Sequence, residues 1–432
     1  MKVVYDKWVN GIPLPNGTHP DAIHEIGHLC DSDQMRKLIE RKVGNTFRWH
    51  DNFYKYTVAS GLLDAITVDD IDINDSQVYL YPLEILAIQP LYQRSKFDRI
   101  RKTCFLHETI SKEVLNLIVK GKVKIIVNLT HDPIMLETIE LIEEYFMSIN
   151  IDPKNIIIIA GNYQKDTRLN VIESSTFFAH ESAKEMMNFP FVGSLGYTAD
   201  IVRESDLDGT RRSKHFLSLN RAARQHRFYL LYELVRSNLL DKCILSFISS
   251  LNESPSFLKQ YCDHMPAEVI NKAHSMIPIE LDTAHANNKT GFPSNQTNKD
   301  WYTNSYISIV SETDFINNDY PFNSEKTFRP FVNLHPFIHF GNVGAIQLLH
   351  NLGFKTFAPY IDESYAYEND KKKRAQLLIK EVNRLGNMSL DEIHNLYYNL
   401  KDVLLYNQNH LKTFIDVNPY EELFEKIERL YN

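Results

Sequence analysis

The sequence predicts an α/β protein built from two Rossmann-like domains that face one another across a cleft. Three observations carry this prediction. Apolar runs of strand length alternate with amphipathic helical segments between residues 112 and 160, a second alternating series runs from about 215 to 357, and a basic, turn-rich passage near 203–214 separates them. Strand–helix alternation with apolar runs on the strands is typical of a parallel sheet covered by helices.

The first series follows a polar, irregular region of about 110 residues in which short strands are expected, such as one at 77–83. Hydrophobic spacing then predicts a helix at 112–120, a strand at 123–129, a helix at 135–149 and a strand at 155–160. Two buried strands joined through a helix indicate a β-α-β unit.

The second series shows the same alternation of apolar strands and amphipathic helices. It predicts, in chain order, a strand at 215–219, a helix at 222–237, a strand at 243–248, a strand at 306–311, a helix from 327, a strand at 336–340, a helix at 345–352 and a strand at 354–357. The tail after residue 387 is helical and charged. We therefore expect an N-terminal α/β domain at 1–205, a second Rossmann-like domain at 206–390, and helices at 391–432 that pack back on the first domain.

Composition narrows the class of protein. The chain has 432 residues, 43% of them hydrophobic and 24% charged, which is typical of globular domains. A net charge of −8 argues against general coating of nucleic acid and leaves a local basic groove open. The four cysteines form no C-x-x-C pair, and no segment resembles a signal peptide or a membrane span. A cytoplasmic protein, in the host cytoplasm if viral, is expected.

One N-terminal motif suggests a metal enzyme. His24-Glu25-Ile26-Gly27-His28 is a literal H-E-x-x-H, which on a helix could chelate Zn²⁺ and activate a bound water. No third ligand has a distinctive spacing, and no sheet-forming sequence precedes the motif. A solvated helix start capped by Asp21 explains the same residues, so a zinc metallopeptidase stays the alternative enzyme class.

Two D-x-D triplets could hold a divalent metal against a diphosphate. They are Asp70-Ile71-Asp72 and Asp206-Leu207-Asp208. Neither follows a convincing buried strand, and polar loops produce such triplets freely. We therefore expect no metal requirement.

An arginine cluster follows the first strand of the second series. Asn220 is expected to cap a helix whose first turns carry Arg221, Arg224 and Arg227 at spacing i, i+3, i+6. Cations at a helix N-terminus are unfavourable unless an anion compensates them. Backbone N–H groups and guanidinium forks together suit a diphosphate, although a solvated basic face is the plainer explanation.

A second polar group follows the strand at 306–311. Glu312 ends that strand, and Ser324, Glu325 and Lys326 open the next helix, so all four are expected at one edge of the sheet. Carboxylates suit sugar hydroxyls and the lysine suits a phosphate oxygen. An ordinary charged helix start would look the same.

These residues resemble the donor-binding region of α1,3-fucosyltransferases and related GT-B glycosyltransferases, in the pattern strand–Glu–loop–Ser-Glu-Lys–helix–Pro–strand–Gly. They also resemble putative glycosyltransferases of large phages and marine microbes, through a string that runs here from Glu325 to Tyr365. The resemblance covers residues 214–365 and leaves the N-terminal half unmatched. It implies that Asn220, the three arginines, Glu312, Ser324, Glu325 and Lys326 bind a nucleotide-sugar donor.

Transfer with inversion needs a base for the acceptor hydroxyl. His131 and Asp132 follow the strand at 123–129 and are the candidates, although Asp132 with Pro133 also suits a helix cap. His180 and Glu181 are a second possibility. The sequence thus predicts a metal-independent, inverting glycosyltransferase that uses no cofactor and acts on a glycan or hydroxymethylated DNA. A non-catalytic nucleotide-binding module is the remaining alternative.

Overall fold

A computed structural model defines the fold. It describes residues 1–5, 8–9, 12–13, 63–84, 112–128, 136–160, 167–173, 179–180, 183, 201–221, 224–247, 265–281, 298–316, 321–417 and 419–431. The chain forms two compact units. Unit 1 comprises Met1–Phe177 with Pro419–Asn432, and unit 2 comprises Phe178–Asn418.

Unit 1 contains a six-stranded, wholly parallel sheet of order β4-β1-β5-β6-β7-β8. Its strands are β1 (Lys2–Tyr5), β4 (Asp64–Thr67), β5 (Tyr79–Glu84), β6 (Val123–Asn128), β7 (Ile156–Ala160) and β8 (Asn170–Glu173). A short antiparallel pair, β2 (Trp8–Val9) and β3 (Ile12–Pro13), follows β1. Its helices are α1 (Lys112–Val119), α2 (Leu136–Ser148) and α11 (Pro419–Tyr431), with 3₁₀ turns at Val68–Asp70 and Pro153–Asn155.

Side chains on the two faces of the sheet of unit 1 contribute to two separate apolar cores. Ile156 and Ile158 of β7 join the core with α1 and α2, whereas Ile157 and Ile159 join the core with α11. Because side chains of a strand alternate between the faces of a sheet, the aliphatic run of β7 is buried on both sides. This explains why the hydrophobic residues of β7 form a continuous run in the sequence rather than an alternating pattern.

Unit 2 contains a four-stranded, wholly parallel sheet of order β10-β9-β11-β12. Its strands are β9 (Lys214–Asn220), β10 (Cys243–Phe247), β11 (Ser305–Ser311) and β12 (Phe337–Phe340). Its helices are α3 (Gln225–Arg236), α4 (Ala267–Ser275), α5 (Lys299–Thr303), α6 (Glu325–Val332), α7 (Ala345–Asn351), α8 (Lys371–Gly386), α9 (Leu390–Asn399) and α10 (Lys401–Asp416). The 3₁₀ turns are Glu204–Asp206, Leu240–Lys242 and Ser364–Tyr367.

The α/β class with parallel sheets is confirmed. Each predicted strand and helix of the two series has a counterpart, with one exception. Residues 354–357 do not form a strand. The backbone of Lys355 instead bonds to the side chain of Asn407, which accepts from its N–H at 2.9 Å and donates to its carbonyl at 2.8 Å. These bonds use the groups that a neighbouring strand would have required.

The polar N-terminal region contributes short strands, as expected, and β1 and β4 both join the sheet of unit 1. The tail helices divide between the units: α9 and α10 belong to unit 2, and α11 belongs to unit 1. Within the described ranges, no helix is both long and apolar enough to cross a membrane.

Candidate functional site

The connections of unit 2 diverge between β9 and β11. The chain passes from β9 through α3 to β10 on one side, and from β11 through α6 to β12 on the other. Where two such crossovers leave in opposite directions, a crevice opens at the carboxyl ends of the strands, and ligands of open α/β sheets bind there.

The two helices also cover opposite faces. Phe228 of α3 packs on Phe247, with ring centroids 4.8 Å apart, whereas Phe331 of α6 packs on Phe337 at 5.3 Å. Phe247 pairs with Asn220 of β9. Phe337 pairs with Ser308 of β11, which in turn pairs with Leu217 of β9. Positions 217 and 220 differ by an odd number, so they face opposite ways. The β9–β11 boundary is therefore the topological switch point of this sheet.

The arginine cluster is arranged differently from the prediction. Asn220 does not cap a helix, because it is the last residue of β9 and pairs with Phe247. The helix begins five residues later, at Gln225, with Arg224 as the N-cap residue. Arg221 and Arg224 are exposed. The three arginines therefore do not share one helical face, since α3 carries Arg227 alone.

Arg227 is buried and points at the end of β11. Its Nη2 donates to the carbonyl oxygens of Ser311 (3.0 Å) and Glu312 (3.1 Å). His226 Nε2 lies 3.0 Å from the Glu312 carbonyl, and its ring stacks on Phe315 at 5.4 Å. Burial, with the charge of Arg224 beside it, lowers the pKa of Arg227 to about 10. Arg227 thus fastens α3 to the end of β11.

The carboxylate of Glu312 organises the start of α6. Oε1 accepts from the Ser324 N–H at 2.9 Å and from Thr327 Oγ1 at 2.5 Å, and Oε2 accepts from Ser324 Oγ at 2.6 Å. Thr327 Oγ1 also lies 3.0 Å from His339 Nε2. Glu312 is fully buried. Because these groups occupy both of its oxygens, Glu312 holds the first turn of α6 in place.

The first turn of α6 presents a cation near the surface. Lys326 Nζ lies 2.8 Å from Glu325 Oε1 and 3.0 Å from Ser324 Oγ, and the side chains of Lys326 and Glu325 are 26% and 19% exposed. Although burial raises the pKa of Glu325, the charges of Lys326 and Arg329 lower it overall. Besides burial, the charge of Arg224 lowers the pKa of Arg227, and the charge of Glu325 raises it. The cations from the β9 and β11 connections therefore lie in one electrostatic neighbourhood.

The aspartate triplets have local partners. Asp206 Oδ1 pairs with Lys299 at 2.8 Å, and its Oδ2 accepts from the Arg203 N–H at 2.7 Å. Asp208 and Asp72 each accept a backbone N–H two residues along the chain. In the described ranges, no group of three or more His, Cys, Asp or Glu side chains could hold a metal ion.

Two predicted sites lie outside the described residues: the H-E-x-x-H segment at 24–28, and the candidate bases His131 and Asp132. Glu181 lies outside them as well. His180 is described and buried, with Nε2 2.9 Å from the Ile415 carbonyl and its ring 5.7 Å from that of Phe414. This places His180 in the interior of unit 2.

Sequence reasoning missed two residues of this site, Thr327 and His339. Thr327 could have been noticed, because it lies three residues after Ser324 and both carry hydroxyls at a helix start. His339 gave no signal, since a histidine inside an apolar strand looks the same whether or not a distant helix provides its partner.

Comparisons with known proteins add little. No protein-family profile matches the chain, and no curated protein is significantly similar to it in sequence. Among solved structures, it is similar to the Candida albicans trehalose-6-phosphate phosphatase N-terminal domain, with 13% identity, a TM-score of 0.30, and coverage of 92% of this chain and 88% of that one. A similarity at this level supports no statement about activity.

Proposed function

We propose that the protein is a glycosyltransferase whose nucleotide-sugar donor binds at the switch point of unit 2. One observation carries the proposal. Exposed Arg224 caps α3 and partly exposed Lys326 lies in the first turn of α6, at the two crossovers that diverge from the β9–β11 boundary. Two helix N-termini and two cations at one sheet edge suit the diphosphate of a nucleotide sugar.

The proposed chemistry follows from where charge develops. As the sugar leaves, negative charge grows on the diphosphate, and Arg221, Arg224 and Lys326 stabilise it. Arg227 and Glu312 do not contact phosphate in this proposal. They hold the end of β11 and the start of α6 in position. In this proposal Ser324, Glu325 and Asn220 bind hydroxyls of the donor. In this proposal cationic side chains neutralise the leaving group, so transfer needs no divalent metal.

The acceptor side remains a prediction from sequence. We propose an acceptor hydroxyl on a glycan or on hydroxymethylated DNA, deprotonated by Asp132 or His131, with inversion at the anomeric carbon. The GT-B arrangement of two domains across a cleft belongs to the same proposal, as does the phage-like relationship of the sequence.

The deciding experiment is a donor screen. Binding of UDP-, GDP-, ADP- and CMP-sugars is measured by thermal shift, and the best binder is incubated with glycan and hydroxymethylated-DNA acceptors for product analysis by mass spectrometry. We expect one nucleotide class to raise the melting temperature and give a glycosylated product that survives EDTA. Binding without product would indicate a non-catalytic nucleotide-binding module. Stoichiometric zinc that is lost in His24→Ala would favour the metallopeptidase.

A further inference from the structure

Among the described residues, two buried oxygen atoms at the switch point have no hydrogen-bond partner. They are Asn220 Oδ1 and Ser311 Oγ, on side chains that are each 2% exposed. The other polar atom of the Asn220 amide is used, since Nδ2 donates to Ser218 Oγ at 3.0 Å. Leaving a polar group buried and unpaired costs free energy, so a pair of such groups in one place indicates a binding function.

The register places the two atoms beside each other. β11 residues pair with β9 residues at a constant offset: Ile307 with Phe216 and Ser308 with Leu217. Continued past the end of the ladder, the same offset brings Ser311 level with Asn220, with both side chains on the same face of the sheet.

The pairing of β9 with β11 also stops early. It ends at Leu217 and Ser308, whereas β9 pairs with β10 as far as Asn220 and β11 pairs with β12 as far as Ser311. The last three residues of both strands therefore have no register partner across the boundary, where the switch point is expected to open a crevice. Asn220 and Ser311 lie at its end.

The charge around this crevice selects the ligand group. The buried guanidinium of Arg227 contacts the Ser311 carbonyl at 3.0 Å, which disfavours a cation. The unpaired atom of Asn220 is an acceptor, which disfavours an anion. Asn220 Oδ1 needs a donor, and Ser311 Oγ can donate or accept. One neutral group that both donates and accepts satisfies the two atoms together, and a ligand hydroxyl is such a group.

We propose that Asn220 and Ser311 form a hydroxyl-binding subsite for the sugar portion of a ligand whose phosphates contact Arg224 and Lys326. This inference rests on the proposed function, and it narrows the ligand to a phosphorylated polyol. The subsite accounts for the early end of the β9–β11 ladder, because continued pairing would close the crevice.

The test compares ligands with and without hydroxyls. Dissociation constants for pyrophosphate, inorganic phosphate, ribose 5-phosphate, glucose 1-phosphate and a nucleotide-sugar panel are measured by calorimetry on wild type, Ser311→Ala and Asn220→Ala. Each substitution should weaken the hydroxyl-bearing ligands about tenfold, the effect of one lost hydrogen bond, and leave pyrophosphate and phosphate unchanged.

Ser308→Ala is the matched control. Ser308 is a buried serine of the same strand on the opposite face, and its hydroxyl lies 2.7 Å from His335 Nδ1. Ser308→Ala should lower the melting temperature without changing ligand affinity. Ser311→Ala should weaken the binding of hydroxyl-bearing ligands without lowering the melting temperature, because its hydroxyl has no hydrogen-bond partner among the described residues.

The outcomes separate the two hypotheses. If pyrophosphate binds and Arg224→Ala abolishes that binding, yet Ser311→Ala and Asn220→Ala leave every ligand unaffected, the subsite is wrong and the phosphate site stands. The same result would mean that the two oxygens serve only water. If no probe binds at all, both the proposed function and the subsite are overturned.

Discussion

The two sheets are both parallel, yet they are built from different residues. Among the residues whose burial is described, the buried polar and charged side chains all belong to unit 2, with the exception of Asn155. β7 of unit 1 is Ile-Ile-Ile-Ile-Ala, whereas β9, β11 and β12 of unit 2 bury Ser218, Ser308 and His339. Buried polar groups cost stability unless they are bonded. The sheet of unit 1 is stabilised by apolar packing. The sheet of unit 2 is less favourable for stability, because it holds polar side chains in the interior and at its carboxyl edge.

The largest expected effect comes from removing the carboxylate that joins β11 to α6. Glu312→Ala should lower the free energy of unfolding of unit 2 by about 3–5 kcal/mol, because the hydroxyls of Ser324 and Thr327 and one backbone N–H lose their acceptor in the interior. Urea unfolding followed by Trp301 fluorescence, with Trp8 and Trp49 replaced by Phe, measures it.

The control lies in the sheet of unit 1. Ile158→Val in β7 removes one buried methyl group and should cost only about 1 kcal/mol, with donor affinity unchanged. Equal costs at the two positions would contradict the difference drawn between the sheets.

The next effect is a pH dependence of unit 2, to which all histidines of the described residues belong. Burial lowers the pKa of His339 to about 4 and that of His335 to about 3, and it lowers the pKa of His226. The described part of unit 1 contains no histidine. Each buried histidine is neutral when folded but binds a proton near pH 6.5 when unfolded. Stability is therefore complete above about pH 6.5 and is lost as pH falls towards 4, by up to about 3 kcal/mol for His339.

Hydrogen exchange between pH 7 and pH 5 measures this difference. Protection of β9, β11 and β12 should fall with pH, whereas protection of β6 and β7 should change little. His339→Gln keeps a hydrogen-bond donor without the titration and should flatten the dependence of unit 2. Parallel loss of protection in both sheets would show that the buried histidines do not control the acid response.

Periodicity predicted most of the elements, because apolar spacing depends only on local sequence. It failed where tertiary partners decide. Hydrophobic spacing predicts a start of α3 near residue 222, but pairing with β10 keeps Asn220 in the strand, and the helix begins at Gln225. A shift of this size changes which side of a helix each arginine faces, and it buries Arg227 while leaving Arg224 exposed.

The candidate site was predicted in outline for a similar reason. Polar residues after parallel strands meet at one edge whatever the strand order, so Glu312 and Lys326 could be expected near the arginines. The roles within the group could not be expected, because they depend on register. The unpaired atoms of Asn220 and Ser311 exist only because the β9–β11 ladder stops early.

The smallest of these effects should fall on the exposed cations, where function and stability separate most clearly. Arg224→Ala or Lys326→Ala should cut kcat/KM about ten- to several-hundred-fold, since each loses a charge-assisted contact of roughly 1.5–3 kcal/mol that strengthens as the leaving group departs. Unfolding should be nearly unchanged, because both side chains reach solvent. Arg224→Lys should rescue only in part, since an ammonium cannot make the bidentate fork, and His24→Ala should leave transfer intact. Full activity in both alanine variants, with an identified donor, would place the diphosphate elsewhere and would remove the functional reason for the polar sheet of unit 2.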